Sequence, residues 1–322
     1  MARGPGMKDG LDIVAIGEAM IEFNQARSDD PRTWLQGFGG DTSNTVIAAA
    51  RLGARSGYVT RVGGDAFGRR LLDLWIEEGV DTSGVAVDEE APTGIYFVSH
   101  GPQGHEFSYL RSGSAASRLA PSSLPLSVIA SARVLHLSAI SQAISAPACD
   151  ACFAAIDAAR NAGVRIAYDT NLRLKLWPLA RARAIIFATL GVADWALPSL
   201  DDARMLFDTD DPARIVDACH ALGSPVVVVK LGREGCLVSD GRRREHLPGS
   251  RVDAVDATGA GDCFDGAFLT RVVTGDSPFA AARYANVAAA LTTLGYGAVA
   301  PLPRAADVTK VLDAEAGQRP SP

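Results

Sequence analysis

One stretch near the C-terminal third, Asp256-Ala257-Thr258-Gly259-Ala260-Gly261-Asp262, joins a glycine-rich turn to an acid at the start of an apolar-periodic segment, Cys263-Phe264-Asp265-Gly266-Ala267-Phe268. Glycines let the backbone bend tightly, so successive amides can point at one spot. A helix start adds partial positive charge there. An anion hole beside the Asp262 carboxylate suits transfer of a phosphoryl group to a hydroxyl: the amides stabilise charge and the acid accepts the proton. An ordinary turn with an acid complementing a helix dipole has the same local sequence, so the choice rests on what accompanies it.

Three clusters accompany it. Gly37-Phe38-Gly39-Gly40-Asp41-Thr42-Ser43-Asn44 ends in a helix N-terminus, where two glycines allow close approach and Asp41 and Asn44 can bond hydroxyls. Alone it also reads as a capped loop-to-helix turn. In Tyr109-Leu110-Arg111, strand alternation puts Tyr109 and Arg111 on one face, facing a ligand or standing as an exposed edge pair. Asp169-Thr170-Asn171-Leu172-Arg173 follows a strand directly, where ligands sit in open α/β sheets. A weaker fourth element is the glycine turn Lys230-Leu231-Gly232-Arg233-Glu234-Gly235, which can lie against a nucleotide.

The elements that must position these groups alternate β-rich runs with helical runs, the pattern of a doubly wound α/β sheet. Strands are expected at 11–17, 57–62, 134–137, 164–168 and 193–197, and Val226–Val229 suits the middle of a parallel sheet. Asp41 or Thr42 is expected to cap a helix through Leu52, with further helices at 66–78, 147–162, 261–273 and 277–294. Residues 93–99 and 106–111 break the alternation as a hairpin without a crossover helix. With 18–38 they are expected to form a small β-sheet lid on a single domain spanning 11–312, leaving 1–10 and 313–322 as loose tails.

The 322 residues can bury a substantial core, and the formal net charge is −6. No basic tract interleaves with aromatics and no apolar run reaches about 18 residues, so neither nucleic acid nor a membrane is an expected partner. Arg242-Arg243-Arg244 reads as a solvated hairpin turn. Five scattered cysteines fit a reducing cytoplasm. Cys149 and Cys152 fall in an alanine-rich helical pattern and read as structural. There is no Gly-x-x-x-x-Gly-Lys-Ser/Thr, no protein-kinase set, and no Gly-x-Gly-x-x-Gly after the first strand.

Gly39-Gly40-Asp41-x-x-Asn44 and Asp256-Ala257-Thr258-Gly259-Ala260-Gly261-Asp262 together resemble the two signatures of the ribokinase-like (PfkB) sugar kinases. The resemblance runs from about Leu11 to Leu312, and the paired motifs are highly specific. It implies a three-layer α/β/α domain with a mostly parallel central sheet and a small β-sheet lid. Within the family, Tyr109-x-Arg111-x-Gly113-Ser114-Ala115 and Asp169-x-Asn171-x-Arg173-x-x-x-Trp177 most resemble the 2-keto-3-deoxygluconate kinases, which use ATP and magnesium on the 6-hydroxyl of an acidic keto-sugar. The resemblance makes Asp262 the catalytic base and the amides of Gly259, Ala260 and Gly261 the anion hole. It puts Gly39, Gly40, Asp41, Asn44, Tyr96, Tyr109, Arg111 and Arg173 at the sugar, and Asn171, Lys230, Gly232, Gly235, Thr258 and Asn286 along the nucleotide. Ser199-Leu200-Asp201-Asp202 stands where family members often carry Asn-x-x-Glu, leaving Asp202 to order water around Mg²⁺. Some members also bind a monovalent cation near the position of Asp256. Two arginines at one pocket favour a carboxylate. Other acceptors in the class are fructose, ribose and 5-dehydro-2-deoxygluconate. The intact Gly-Ala-Gly-Asp argues against a silent sugar-binding sensor. Exposed lid edges invite pairing, so a homo-oligomer, dimer or higher, is expected.

Overall fold

The computed structural model describes residues 10–26, 30, 32–101 and 104–317. Its strands are β1 (Ile13–Ile16), β2 (Met20–Gln25), β3 (Trp34–Gly39), β4 (Ser56–Gly63), β5 (Val85–Asp88), β6 (Ile95–Gly101), β7 (Gly104–Leu110), β8 (Val134–Ser138), β9 (Arg165–Asp169), β10 (Trp195–Ala196), β11 (Val226–Lys230), β12 (Cys236–Ser239) and β13 (Arg244–Leu247). Nine form the main sheet in the order β13-β12-β11-β10-β9-β8-β1-β4-β5. From β5 to β11 every pairing is parallel; β12 and β13 add antiparallel at one end.

Period-two alternation splits the strands' apolar residues between two helical layers. Val14, Ile16, Leu135, Leu137, Ile166, Tyr168, Val227 and Val229 pack with Ile156, Ile186 and Ile215 of the helices Ala146–Asn161, Leu179–Leu190 and Pro212–Leu222. Ile13, Ala15, Val134, Ala167 and Val228 face the helices Asp41–Arg51, Ala260–Val273 and Pro278–Thr292. This is the expected three-layer α/β/α arrangement around a mostly parallel sheet.

The second sheet, β3-β2-β6-β7, is the expected lid. Its register aligns Glu22 with Tyr96 and Tyr96 with Tyr109 on one face. On the other, Phe23 meets Phe97 at 5.4 Å and Phe67 of the helix Ala66–Glu77 at 5.8 Å between centroids, which seats the lid on the main body.

Three expectations change. β11 is the last parallel strand, not a middle one, because the hairpin β12–β13 covers it. Gly40, not Asp41 or Thr42, occupies the cap position, and Asp41 is the first helical residue. The C-terminal helix Ala305–Gly317 extends past 312, so 313–317 are not a loose tail. Residues 1–9 and 318–322 of the expected tails lie outside the described residues, as do 102 and 103 of the hairpin loop.

Candidate active site

Parallel strands present all their C-terminal ends on one edge, and the candidate residues gather there. β1 leads to Glu18, β8 ends at Ser138, β9 ends at Asp169 and leads to Asn171, and β11 ends at Lys230. Opposite them start the helices Asp41–Arg51 and Ala260–Val273. Gly259 enters the second with φ of 77°, a left-handed conformation that side chains resist. The two helices lie directly on one another at Gly266, where a Cβ would stand 2.5 Å from the carbonyl oxygen of Thr45. That approach lets Asn44 Nδ2 donate to Asp262 Oδ2 at 2.8 Å.

Burial, followed by the nearby charge of Asp41, raises the Asp262 carboxyl to about 7; Asp169 adds to this, while the Asn44 bond and Lys230 oppose it. A carboxyl poised there can accept a proton at neutral pH. Ala260 N already donates to Ala257 O at 3.2 Å. Of the three amides expected to form an anion hole, that of Ala260 is thus engaged, while those of Gly259, Gly261 and also Asp262 lie at the helix start, where intrahelical acceptors are lacking.

Asp41, expected at the sugar, is the hub of a hydrogen-bond network. Its Oδ2 accepts from the Ser138 hydroxyl and from Asn171 Nδ2 at 3.0 Å, and its Oδ1 from Thr42 N at 2.8 Å. Burial nevertheless pushes its carboxyl up. Asn171, expected along the nucleotide, thus belongs to the Asp41 network. Tyr96 packs against Gly39 and donates its phenol to Glu22. Its ring stacks on Tyr109 at 5.7 Å.

The two arginines part company. Arg111, with 14% of its side chain exposed, pairs with the buried Glu18, whose other oxygen accepts from Ser114 Oγ at 2.6 Å. Arg173 keeps 52% of its side chain exposed, donates to Leu172 O at 2.9 Å, and stands 3.9 Å from Asp202. It is close enough to Asp41 to favour that carboxylate's charged form.

The expected nucleotide set is only partly gathered. Lys230 is buried between Asp169 and Asp265. Gly232 and Gly235 close the turn after β11, Leu231 N donating to Gly235 O at 2.8 Å. Thr258 donates through N and Oγ1 to Asp256 Oδ1 at 2.9 and 2.7 Å, and Gly297 N donates to Asp256 Oδ2 at 2.9 Å. Asn286 does not join them: its Nδ2 donates to Leu247 O and Pro248 O, both at 3.2 Å, bracing a helix against the end of β13. Val252, Val255, Leu294 and Tyr296 flank the Asp256 turn as exposed apolar side chains, a surface suited to a purine. Sequence reasoning named none of them as diagnostic.

Asp202 is partly buried, which raises its carboxyl, and its amide bonds Ser199 Oγ at 3.1 Å. Among the described residues no three metal-binding side chains come together. A single carboxylate fits Mg²⁺ that arrives on phosphate oxygens and keeps its waters, not an ion in a protein cage. Cys149 and Cys152 are buried and unlinked.

Five contributors were missed from sequence: Glu18, Glu22, Ser138, Asp265 and Gly266. Asp265 and Gly266 follow Asp262 by three and four residues, the spacing of one helix face. Glu18 and Ser138 hold strand-end positions, where ligands and their supports collect.

The model of the pfkB family carbohydrate kinases matches residues 11–305. The chain belongs to that family. It is 35% identical to the probable fructokinase-3 of Arabidopsis thaliana, over 94% of this chain and 91% of that protein. It is also 35% identical to the 2-dehydro-3-deoxygluconokinase of Thermoproteus tenax, over 92% and 93%. Among solved structures, an Escherichia coli protein assigned as ribokinase II, in complex with ATP and Mg²⁺, superposes with a TM-score of 0.87 at 25% identity over 94% of this chain and 99% of that one. This PfkB chain is thus a carbohydrate kinase whose relatives include both sugar-acid and neutral-sugar enzymes. Among its described residues, no helix is long and apolar enough to cross a membrane.

Proposed function

We propose that this PfkB kinase phosphorylates the primary hydroxyl of 2-keto-3-deoxygluconate, giving the 6-phosphate, with Asp262 as general base. The observation that carries the chemistry is the Asp262 carboxyl, raised to about 7 and held by Asn44 beside a glycine-built helix start. Asp262 removes the hydroxyl proton as the oxygen bonds to the γ-phosphorus, and the amides of Gly259 and Gly261 take up negative charge. Asp41, Asn44 and Asn171 orient the sugar hydroxyls, and the Glu22–Tyr96 pair braces two neighbouring strands of the lid beside them. Bound ATP and Mg²⁺ supply the phosphoryl group and neutralise its charge; Asp202 would order the metal's water, and the Asp256–Gly259 turn would flank the nucleotide.

The sugar acid is favoured by Arg173, the guanidinium with half its surface open beside Asp41. A carboxylate can accept two parallel hydrogen bonds from it. The second reading is a neutral ketohexose such as fructose, favoured by the Arg111–Glu18 pair, which uses up one of the two positive charges. Exposed Leu35, Phe107 and Leu110 on the lid strands support self-association there.

ADP release is to be measured with 2-keto-3-deoxygluconate, fructose, ribose and 5-dehydro-2-deoxygluconate in parallel. The highest kcat/KM is expected for 2-keto-3-deoxygluconate. A higher value for fructose selects the second reading, and no turnover with any of the four refutes both.

A further inference from the structure

Beneath the anion hole lies a charge cluster that the phosphoryl-transfer reading does not use. Lys230 Nζ is 3.1 Å from Asp169 Oδ2 and 3.0 and 3.1 Å from the two oxygens of Asp265. The three residues come from separate elements: the end of β11, the end of β9, and the helix that begins at Ala260. The same ammonium stands 3.8 Å from where a Cβ on Gly261 would be, directly under the turn. Asp169 also accepts from Asn171 N at 3.2 Å, and Asn171 in turn bonds Asp41. The cluster therefore touches both the helix that carries Asp262 and the residues on the sugar side.

We propose that Lys230, clamped by Asp169 and Asp265, is a positioning residue: its ammonium is the fixed cation against which the Gly259–Asp262 turn and the Asp262 carboxylate are set. This rests on Asp262 being the base.

The protonation pattern fits that role. Burial opposes ionisation at all three members. At Asp169, burial is the largest influence, but Lys230 and a hydrogen bond with Asp265 together outweigh it and hold the carboxyl below its usual range. At Asp265, burial wins and the carboxyl is raised well above that range, with Asp169 adding to the rise and Lys230 opposing it. The two aspartates outweigh burial at Lys230, which stays charged. The groups facing Asp262 are Asp41 from its helix, Asp169 from β9, Lys230 from β11, Tyr96 from the lid and Cys263 from its own helix. Lys230 is the one cation among these, and His136, which faces Lys230 and Asp169, is held neutral by burial with its imidazole at about 4.

The test is the acid limb of kcat against pH, from 5.5 to 9, for Lys230→Met and Asp169→Asn. Removing the cation should raise the Asp262 midpoint, so Lys230→Met loses about tenfold in kcat at pH 6, the effect of a nearby opposite charge on a carboxylate, and recovers most of it by pH 9. Removing the anion should move the limb of Asp169→Asn to lower pH. Loss by the same factor at every pH, or limbs that shift in the same direction, overturns the proposal. Where Lys230→Met does not fold, Lys230→Arg replaces it: the limb is expected to stay in place while thermal stability falls, and a displaced limb overturns the proposal. Asp262→Asn, run beside them, tests the base separately, since near wild-type turnover there refutes that reading whatever Lys230 does.

Discussion

The two arginines are expected to answer differently to the same substitution. Arg173→Met removes a guanidinium that is half exposed and only 3.9 Å from its nearest acid. A hydrogen bond to a charged group is worth about 1.5–3 kcal/mol, and solvent screening places this one at the lower end. At about 1.4 kcal/mol per factor of ten, KM for 2-keto-3-deoxygluconate should rise roughly tenfold. KM for fructose, which offers no carboxylate, should stay within about twofold, below the value of a single weak hydrogen bond. Arg111→Met instead strands the buried Glu18, whose carboxyl burial already pushes up. Breaking a buried pair from one side costs about 3–5 kcal/mol, so this variant should melt several degrees lower and lose activity on every sugar alike. Steady-state ADP release with both sugars, paired with thermal melts, separates the two outcomes. An equal rise in KM for both sugars in Arg173→Met, or a sugar-acid-selective defect in Arg111→Met at unchanged stability, refutes the assignment of carboxylate recognition to Arg173.

Three further outcomes follow from the base and its support. With the Asp262 carboxyl at about 7, kcat/KM should show an acid limb centred there, and Asp262→Asn should abolish the limb and lower kcat by about 10²–10⁴-fold. The same shift has a folding consequence. A carboxyl raised above its ordinary 3.8 binds more protons folded than unfolded, so its contribution to stability is complete below that value and lost as pH rises through about 7. Thermal melts at pH 5 and pH 8 should therefore diverge less in Asp262→Asn than in the parent chain. Gly266→Ala places a methyl 2.5 Å from Thr45 O; overpacking of this kind costs roughly 1–3 kcal/mol. The helices must part, so Tm and kcat should fall together, and an active, equally stable Gly266→Ala would show that the Asn44–Asp262 contact does not depend on that approach.

Much of the fold was legible because it rests on local periodicity. The runs at Ile13–Ile16, Val134–Ser138 and Arg165–Asp169 alternate their apolar residues between two layers, a period-two pattern that each run carries in its own residues. Val226–Val229 misled because four β-branched residues look the same wherever both faces are covered, and at β11 the far neighbour is an antiparallel hairpin. The position of a strand within a sheet is a long-range property, which its own residues do not encode. The cap at Gly40 failed for a related reason. Asp41 is a good capping type, but its carboxylate is engaged by Ser138 and Asn171, residues about 100 positions or more away in the chain.

The site divides along the same line. The turn at Asp262, the acid at Asp41 and the Asn171–Arg173 strand end are visible because their residue types and spacing are local. What those groups do electrostatically is not visible, since it depends on which charges the fold brings near them. Arg111 and Arg173 are equivalent in sequence, yet one is neutralised by an acid from the end of β1 and the other stands open. Asp262 and Asp265 are one helical turn apart, yet Asp262 titrates near neutrality while Asp265, beside Lys230 and Asp169, keeps its proton well above that of an ordinary carboxyl. Buried carboxylates without a cation are costly, so the chain cannot keep Asp41, Asp169, Asp262 and Asp265 all ionised around one lysine. The arrangement resolves the conflict by holding the Asp169 carboxyl down beside Lys230 and letting that of Asp265 rise. Asp262 is left at the intermediate value that proton transfer to a neutral-pH base requires.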